Sequence, residues 1–211
     1  MKMLLHICCA PCSTATVESW RSDAVELTGV FFNPNIHPYA EHERRYETLL
    51  GYAATIDLPL IGEPSYDVTA WLRKVHGKEE KGVRCRICIG ERLEYTARLA
   101  AASGFEAFST TLSISPYQDH EIIQEEGERA AIRFGSEFIY RDLRPSYRRS
   151  RELSREAGLY RQKYCGCIYS EAEAALERAQ ARKAKKSAQA SGSAQASGQA
   201  QEKRIRRAPR E

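Results

Sequence analysis

The sequence predicts an α/β fold, a parallel sheet covered by helices. Short apolar runs alternate along the chain with longer amphipathic segments, which is the pattern of parallel strands joined by crossover helices. The chain has 211 residues, of which 42% are hydrophobic, so it can bury one good core. We therefore expect a single α/β domain followed by a trailing segment.

Each strand is predicted from a short apolar run, and the first two runs read KMLLHI and ELTGVFF. The predicted strands are residues 2–7, 26–32, 57–61, 106–111 and 137–140. Each helix is predicted from a longer amphipathic segment between two such runs. The predicted helices begin near residues 11–14 and then cover residues 41–54, 69–75, 88–102 and 119–134.

Three loops of unusual composition follow predicted strands. They read CCAPCST (residues 8–14), NPNIHP (33–38) and LSISPYQ (112–118). In open parallel sheets, ligands bind beyond the carboxyl ends of the strands, where neighbouring loops diverge. We expect these loops to form the functional edge of the sheet.

The trailing segment differs in charge from the rest of the chain. Residues 177–211 hold ten Lys or Arg and three Glu, a net charge of +7, whereas residues 1–176 carry a net charge of −3. The segment repeats SAQASG and contains one large aliphatic residue, Ile205, so it cannot bury enough surface to order itself. We predict a catalytic α/β domain over residues 1–176 and a disordered tail over 177–211, which is either a dispensable extension or a basic arm for nucleic acid.

The predicted location is the cytoplasm. No uncharged apolar run approaches the ~20 residues needed to cross a bilayer, and residues 1–7 are too short for a secretory signal. In a reducing cytosol the seven cysteines are not a disulfide framework. We expect them to bind metal, to carry out redox chemistry, or both.

The cysteines fall into three clusters. Three lie where the first strand turns into its helix, two form a C-x-x-C before the predicted fourth helix, and two flank a glycine: Cys8, Cys9 and Cys12; Cys85 and Cys88; Cys165 and Cys167. Free N–H groups at a helix start favour thiolate, and a C-x-x-C lets two thiolates reach one metal centre. Thiolates from Cys8, Cys9, Cys85 and Cys88 can hold a 4Fe–4S cluster or a zinc ion, and spacing alone does not decide between the metals.

The C-G-C element favours a redox pair. Cys165 and Cys167 can close only a small, strained ring, and strained disulfides are easily reduced. The alternative is that both are further metal ligands. Cys12 is left over, and it is a ligand of a second metal, a thiol facing the substrate, or a small buried hydrophobe.

Other polar residues of the loops are candidate proton donors or ligands. His37 lies in NPNIHP, and Asp119 and His120 follow SPYQ. His6 lies within an apolar strand and is predicted to be a hydrogen-bonded core residue. His42 and His76 are predicted to lie on solvated helix surfaces.

Residues 140–164 predict a surface for RNA. The segment carries eight Lys or Arg against three acids, with four tyrosines interleaved, and leads directly into C-G-C. Arginine and lysine neutralise phosphates, and tyrosine rings stack on unpaired bases. The alternative is a solvated helix face with internal Glu–Arg pairs.

Five separated motifs carry a family resemblance. In chain order they read LLHICCAPC (residues 4–12), FNPNIHP (32–38), RCRICIGERL (84–93), FSTTLSISPYQ (108–118) and YRQKYCGCIYS (160–170). Together they closely resemble the QueH-type epoxyqueuosine reductases, over roughly residues 2–172. No cysteine of the pattern is missing, and only the tail falls outside it.

The resemblance implies a Rossmann-like fold related to the adenine nucleotide alpha hydrolases (HUP fold). The implied reaction is reduction of epoxyqueuosine to queuosine at the wobble position of tRNA, with electrons from an unidentified donor. A 4Fe–4S cluster on Cys8, Cys9, Cys85 and Cys88 is implied, with Cys165 and Cys167 as a redox-active pair. An additional mononuclear iron is implied too, without assigned ligands.

Two other functions remain open from the sequence. One is an iron–sulfur tRNA sulfur-transfer enzyme, but such enzymes need a glycine-rich loop for ATP after the first strand, where this chain has CCAPCST. The other is a zinc-stabilised RNA-binding module, in which the cysteines serve folding alone.

Overall fold

The computed structural model describes residues 1–62 and 64–185 and contains one parallel sheet of five strands. The strands are β1 (Lys2–His6), β2 (Glu26–Val30), β3 (Leu60–Ile61), β4 (Ala107–Thr110) and β5 (Glu137–Phe138). Their order across the sheet is β3-β2-β1-β4-β5, so β1 is central. The predicted Rossmann-like sheet is confirmed, although the two edge strands are shorter than predicted.

Six helices connect or follow the strands in the body of the fold. They are α1 (Ala10–Arg21), α2 (Tyr39–Thr55), α3 (Val68–Val75), α4 (Val83–Ala102), α5 (His120–Phe134) and α6 (Tyr147–Glu156). The predicted fourth helix begins at Val83 instead of Cys88. This earlier start places Cys85 and Cys88 within the first two turns of α4.

The two faces of β1 pack into two separate cores. Met3, Leu5 and Ile7 pack with apolar side chains of α1 and α2 on one face. Leu4 packs with side chains of α4 and α5 on the other. Because side chains of a strand alternate between faces, the continuous apolar run KMLLHI is what a strand covered on both faces requires.

The strand register brings the unusual loops to one edge. His6 of β1 pairs with Val30 of β2 and with Thr110 of β4, and all three strands run in the same direction. The chain therefore leaves these strands side by side, into CCAPCST, NPNIHP and LSISPYQ. The predicted functional edge is confirmed as a structural feature.

The basic segment after β5 folds as a short 3-10 turn (Arg144–Ser146) followed by α6. Helix α6 is fixed against α1: the Ser150 hydroxyl donates to the Pro11 carbonyl at 2.6 Å, and the Thr14 hydroxyl donates to the Ser150 carbonyl at 3.3 Å. The basic helix thus lies beside the start of the helix that carries Cys12.

The chain divides into two units, Met1–Ile168 and Tyr169–Glu211. A last helix, α7, covers residues 168–185, so it continues nine residues into the segment that was predicted as a disordered tail. The remainder of that tail lies outside the described residues. The predicted boundary at 176/177 stays a prediction.

Of the predictions for the three histidines His6, His42 and His76, two are confirmed and one is wrong. His6 is fully buried and hydrogen-bonded, and His76 is exposed. His42 was predicted on a solvated surface but is only 3% exposed, with its ring against Phe31 and Tyr66. The buried stripe of α2 includes polar side chains because part of this helix faces loops instead of the apolar core.

Within residues 1–62 and 64–185, no helix has both the length and the apolar character needed to cross a membrane.

Candidate functional site

The first cysteine cluster forms a compact group at the end of β1. The sulfur atoms of Cys8, Cys9 and Cys12 all lie within 4.8 Å of one another, and those of Cys8 and Cys9 are 3.7 Å apart. Cys9 is the extended N-cap residue of α1, so the chain turns there and brings Cys12, one turn into the helix, back toward Cys8. We call Cys8, Cys9 and Cys12 the cysteine triad.

Hydrogen bonds from the neighbouring strands fix the backbone at the triad. The two ring nitrogens of His6 bond to the Thr110 hydroxyl at 2.9 Å and to the Phe32 carbonyl at 3.2 Å. The Thr111 hydroxyl accepts from the Cys8 N–H at 3.2 Å and donates to the Cys8 sulfur at 3.5 Å. His6 and Thr111 therefore join the loops after β1, β2 and β4.

The triad favours a single negative charge when it binds no cation. Hydrogen bonds from Cys12 and Cys9 lower the pKa of Cys8 well below its usual value. The interaction with Cys8, and then with Cys9, raises the pKa of Cys12. Ionising all three sulfurs in this buried position requires a nearby cation, and soft thiolates are ligands for zinc or iron. The triad can therefore bind a metal.

The second cluster, at the start of α4, is organised by Arg92. This arginine is buried; its Nη2 donates to the Cys88 sulfur at 3.2 Å, and its Nε donates to the Cys88 carbonyl at 3.0 Å. Burial raises the pKa of Cys88 to about 12, although the charge of Arg92 opposes that rise. Within the described residues, Cys85 and Cys88 are not part of the 4.8 Å group.

Arg92 nevertheless interacts with all three clusters. Burial disfavours its charge, but the fields of nearby cysteines outweigh burial and raise the pKa of the guanidinium. Those cysteines come from three segments of the chain: Cys88, Cys165, Cys8 and Cys85. Arg92 was not predicted as a site residue, although its place four residues after Cys88 on one helix face is visible in the sequence.

The third cluster lies in a loop that is held against the functional edge. Cys165 is exposed and Cys167 is buried. The Gly166 carbonyl accepts from the His37 N–H at 2.8 Å, and a Cβ on Gly166 would lie 3.1 Å from Ile36. A glycine is needed here because the NPNIHP loop approaches so closely.

Two glutamines contact sulfur atoms in the site. Gln118, from the loop after β4, donates to the Cys165 sulfur at 3.2 Å. Gln162 donates to the Cys9 sulfur at 3.2 Å. The segment around C-G-C therefore contacts both the triad and the loop after β4, at the functional edge of the sheet.

Arg45 of α2 anchors the C-G-C segment. Its Nη1 donates to the Cys165 carbonyl at 2.8 Å and its Nη2 to the Tyr164 carbonyl at 3.1 Å, while its Nε donates to Glu41 at 2.8 Å. The Tyr160 hydroxyl donates to the other Glu41 oxygen at 2.6 Å. Arg45 and Glu41 were not predicted as site residues, because the residues that they contact near C-G-C lie more than a hundred positions away in the chain.

The three candidate proton donors lie on or directly after loops of the functional edge and have different partners. His37 is buried, its ring packs against Trp71 and Tyr66, and burial lowers its pKa to about 4. Asp119 is exposed and caps α5 by accepting from the Ile122 N–H at 3.1 Å. His120 bonds to the Tyr140 hydroxyl and the Ser115 carbonyl. Their catalytic roles stay predictions.

The Arg45 contacts predict a large effect on stability. We expect Arg45→Met to lower the free energy of unfolding by about 3–5 kcal/mol, because it leaves Glu41 buried without its cation. Urea unfolding measures this loss. The C-G-C loop should also loosen, so alkylation of the Cys165 thiol should become faster.

Arg73→Met is the matched control, because Arg73 is exposed on α3. The Arg73→Met variant should have the same free energy of unfolding and the same rate of Cys165 alkylation as the unaltered chain. Equal unfolding curves for Arg45→Met and Arg73→Met would contradict the anchoring role.

A solved structure shares the fold. The chain is similar to a structure described as U34-tRNA thiolase NcsA from Methanococcus maripaludis with its [4Fe-4S] cluster, with a TM-score of 0.52 and 12% identity. The match covers 81% of this chain and 61% of that one. At this identity the likeness shows the fold alone.

Curated relatives are much closer in sequence. A protein named epoxyqueuosine reductase QueH from Dehalococcoides mccartyi is 41% identical over 172 residues, covering 82% of this chain and 93% of the relative. Proteins of the same name from Haemophilus influenzae and Thermotoga maritima are 38% and 35% identical. Both matches cover 80% of this chain, with 71% and 89% of the respective relatives.

A family model described as epoxyqueuosine reductase QueH matches residues 3–173. The match includes all seven cysteines and stops before the basic tail. The chain therefore belongs to the epoxyqueuosine reductase QueH family.

Proposed function

We propose that this chain reduces epoxyqueuosine to queuosine at the wobble position of tRNA, as an oxidoreductase of the cytoplasm. The observation that carries the proposal is the cysteine triad at the carboxyl edge of the sheet, beside the C-G-C loop. A buried thiol group of this kind suits redox chemistry and metal binding better than packing. Family membership supports the choice of substrate.

The proposed cofactor is a 4Fe–4S cluster held by Cys8, Cys9, Cys85 and Cys88. The ligands of a cluster bind different irons, so they need to lie further apart than the ligands of one ion. Cys85 and Cys88 lie outside the 4.8 Å group of the triad, and buried Arg92, on which the fields of Cys8, Cys85 and Cys88 all act, would offset the negative charge of the thiolates. When bound, the cluster supplies electrons and Lewis acidity for removing the epoxide oxygen. The proposed site also contains an additional mononuclear iron, to which we assign no ligands.

The electron balance gives the C-G-C pair its proposed role. Converting the epoxide to an alkene and water requires two electrons and two protons. Oxidation of Cys165 and Cys167 from dithiol to disulfide releases two electrons and two protons. Exposed Cys165 is the thiol that an electron donor can reach, while buried Cys167 lies on the inner side of the loop. The donor itself is unidentified.

The proposed tRNA surface is the basic segment over residues 140–164. Four of its arginines, Arg148, Arg149, Arg151 and Arg155, are exposed on α6, and the Arg148 side chain is 91% exposed. Two ion pairs favour the alternative of a solvated face: Arg148 with Glu152 at 3.8 Å and Arg149 with Glu18 at 3.3 Å. Both pairs are exposed, so they are weak and can yield to phosphate.

The two competing functions are less well supported. The loop between β1 and α1 has no glycine, and cysteine sulfurs fill the place where a sulfur-transfer enzyme would bind the phosphates of ATP. A zinc-stabilised module gives no reason for an exposed cysteine beside a buried one in a C-G-C loop. Neither alternative explains family membership.

The direct test is conversion of tRNA that carries epoxyqueuosine. Chain purified without oxygen should form queuosine in the presence of a chemical reductant, measured by mass spectrometry of digested nucleosides. Formation of queuosine by the apoprotein without iron, or none by fully iron-loaded chain, would contradict the proposal.

The redox pair predicts a difference between a strong chemical reductant and a thiol donor. We expect Cys165→Ser with Cys167→Ser to retain iron and to convert substrate while an excess of the chemical reductant is present, because that reductant can deliver both electrons to the iron centre one after the other. Multiple turnover with a thiol donor should be lost. Unchanged multiple turnover with the thiol donor would rule out the relay role, and Cys167→Ala serves as a single-thiol comparison.

The basic helix predicts weaker tRNA binding when its charge is reversed. Arg148→Glu with Arg149→Glu should raise the dissociation constant by about 10-fold or more at low salt, because phosphate contacts are lost. Arg98→Glu with Arg133→Glu is the matched control, since both lie near the carboxyl ends of α4 and α5, away from the functional edge. Equal tRNA affinity of the two double variants would contradict the proposed surface.

A further inference from the structure

An exposed aromatic pair lies at the functional edge. Tyr117, in the loop after β4, is 80% exposed. Its ring meets the ring of Tyr147, the first residue of α6, edge to face with centroids 6.0 Å apart. Because most of Tyr117 is exposed, its ring remains open to solvent and is suited to stacking on another planar ring.

The pair is next to the sulfur atoms. Gln118, the neighbour of Tyr117, donates to the Cys165 sulfur at 3.2 Å. Burial raises the pKa of Tyr147, and the other groups whose fields act on it include Cys12, Arg151 and Arg161. A ligand that stacks on Tyr117 would therefore have its neighbouring group close to the reactive thiols.

The loop that carries Tyr117 is held in place on both sides. The Tyr117 N–H donates to the Ser115 hydroxyl at 3.3 Å, and the Ser115 carbonyl bonds to a His120 ring nitrogen at 2.9 Å. The other ring nitrogen of His120 bonds to the Tyr140 hydroxyl at 2.8 Å. A ring on an ordered loop loses little conformational entropy when it binds a ligand.

The charges around the pair select the kind of ligand. Arg148, Arg151 and Arg161 are exposed on the basic segment 140–164, which also contains Tyr147. Open aromatic faces with arginines alongside are the arrangement by which proteins bind unpaired bases and their phosphates.

We propose that Tyr117 and Tyr147 form a stacking platform for the unpaired base directly next to the wobble base of the tRNA. The open face of the Tyr117 ring stacks on that base. The Tyr147 ring supports the Tyr117 ring through their edge-to-face contact. Stacking the neighbour fixes the distance by which the reacting base can extend toward the cysteines. This inference rests on the proposed function and deepens it by naming the contact that positions the substrate.

A double-mutant cycle tests the platform. The full chain, purified without oxygen with its iron, is titrated with a synthetic RNA anticodon stem–loop that carries an unmodified wobble base. In two further RNAs, each base flanking the wobble position is replaced in turn by an abasic ribose. Tyr117→Ala should weaken binding of the intact RNA about 10- to 100-fold. Tyr117→Ala should cause no further loss of affinity for the abasic RNA that lacks the contacted base.

Two variants separate stacking from other effects. Tyr117→Phe keeps the ring and should bind as tightly as the unaltered chain. Tyr39→Ala removes a tyrosine that is 53% exposed and contacts Tyr66 instead of the pair, so it should leave affinity unchanged.

The inference is overturned if Tyr117→Ala binds the intact RNA as tightly as the unaltered chain does. It is likewise overturned if Tyr117→Ala weakens the binding of both abasic RNAs by the same factor as it weakens the binding of the intact RNA. It is also overturned if Tyr117→Phe is as weak as Tyr117→Ala. In each of these cases the unaltered chain still converts epoxyqueuosine in tRNA, so the proposed function stands. An unaltered chain that neither binds the stem–loop nor converts tRNA would overturn both.

Discussion

Parallel pairing of β1 with β2 and β4 is the constraint on which the whole site depends. Because the three strands run in one direction, the chain leaves them at one edge, and residues distant in sequence become neighbours there. His6 reinforces this pairing by bonding to both adjacent strands from the middle of the sheet. The triad, the C-G-C loop and the loop of Tyr117 all take their positions from that edge.

Two buried arginines contact the segments that carry the cysteines. Arg92 interacts with all three cysteine clusters, and Arg45 ties the C-G-C loop to α2. A buried guanidinium is costly unless anions or carbonyls surround it. Glu41 and two carbonyls compensate the charge of Arg45, whereas Arg92 bonds to the carbonyl and the sulfur of Cys88 and so indicates a site that becomes negatively charged. The thiolates of a bound iron–sulfur cluster would supply that charge, whereas neutral packed cysteines would leave it uncompensated.

The periodicity of the sequence predicted the fold well, because strand and helix patterns are local. The rule that ligands bind at the carboxyl ends of parallel strands then sufficed to bring the CCAPCST, NPNIHP and LSISPYQ loops together, whereas the position of Cys165 beside them was not predicted. The contacts of Arg45 could not be predicted, since they join residues 119 and 120 positions apart and depend on how the last loop folds back. His42 was misplaced for a related reason: its face of the helix looks polar in sequence, but the rings of Phe31 and Tyr66, instead of solvent, cover it.

The central claim is that thiolates from the β1 loop and from α4 hold one iron–sulfur centre. The most direct measurement is iron and acid-labile sulfide content, with the electron paramagnetic resonance spectrum of the reduced protein, after purification without oxygen. We predict a 4Fe–4S signal in the unaltered chain and in Cys167→Ser, and its loss in Cys9→Ser and in Cys88→Ser alike. A cluster that survives Cys88→Ser unchanged, or an active chain that contains zinc and no iron, would contradict the account.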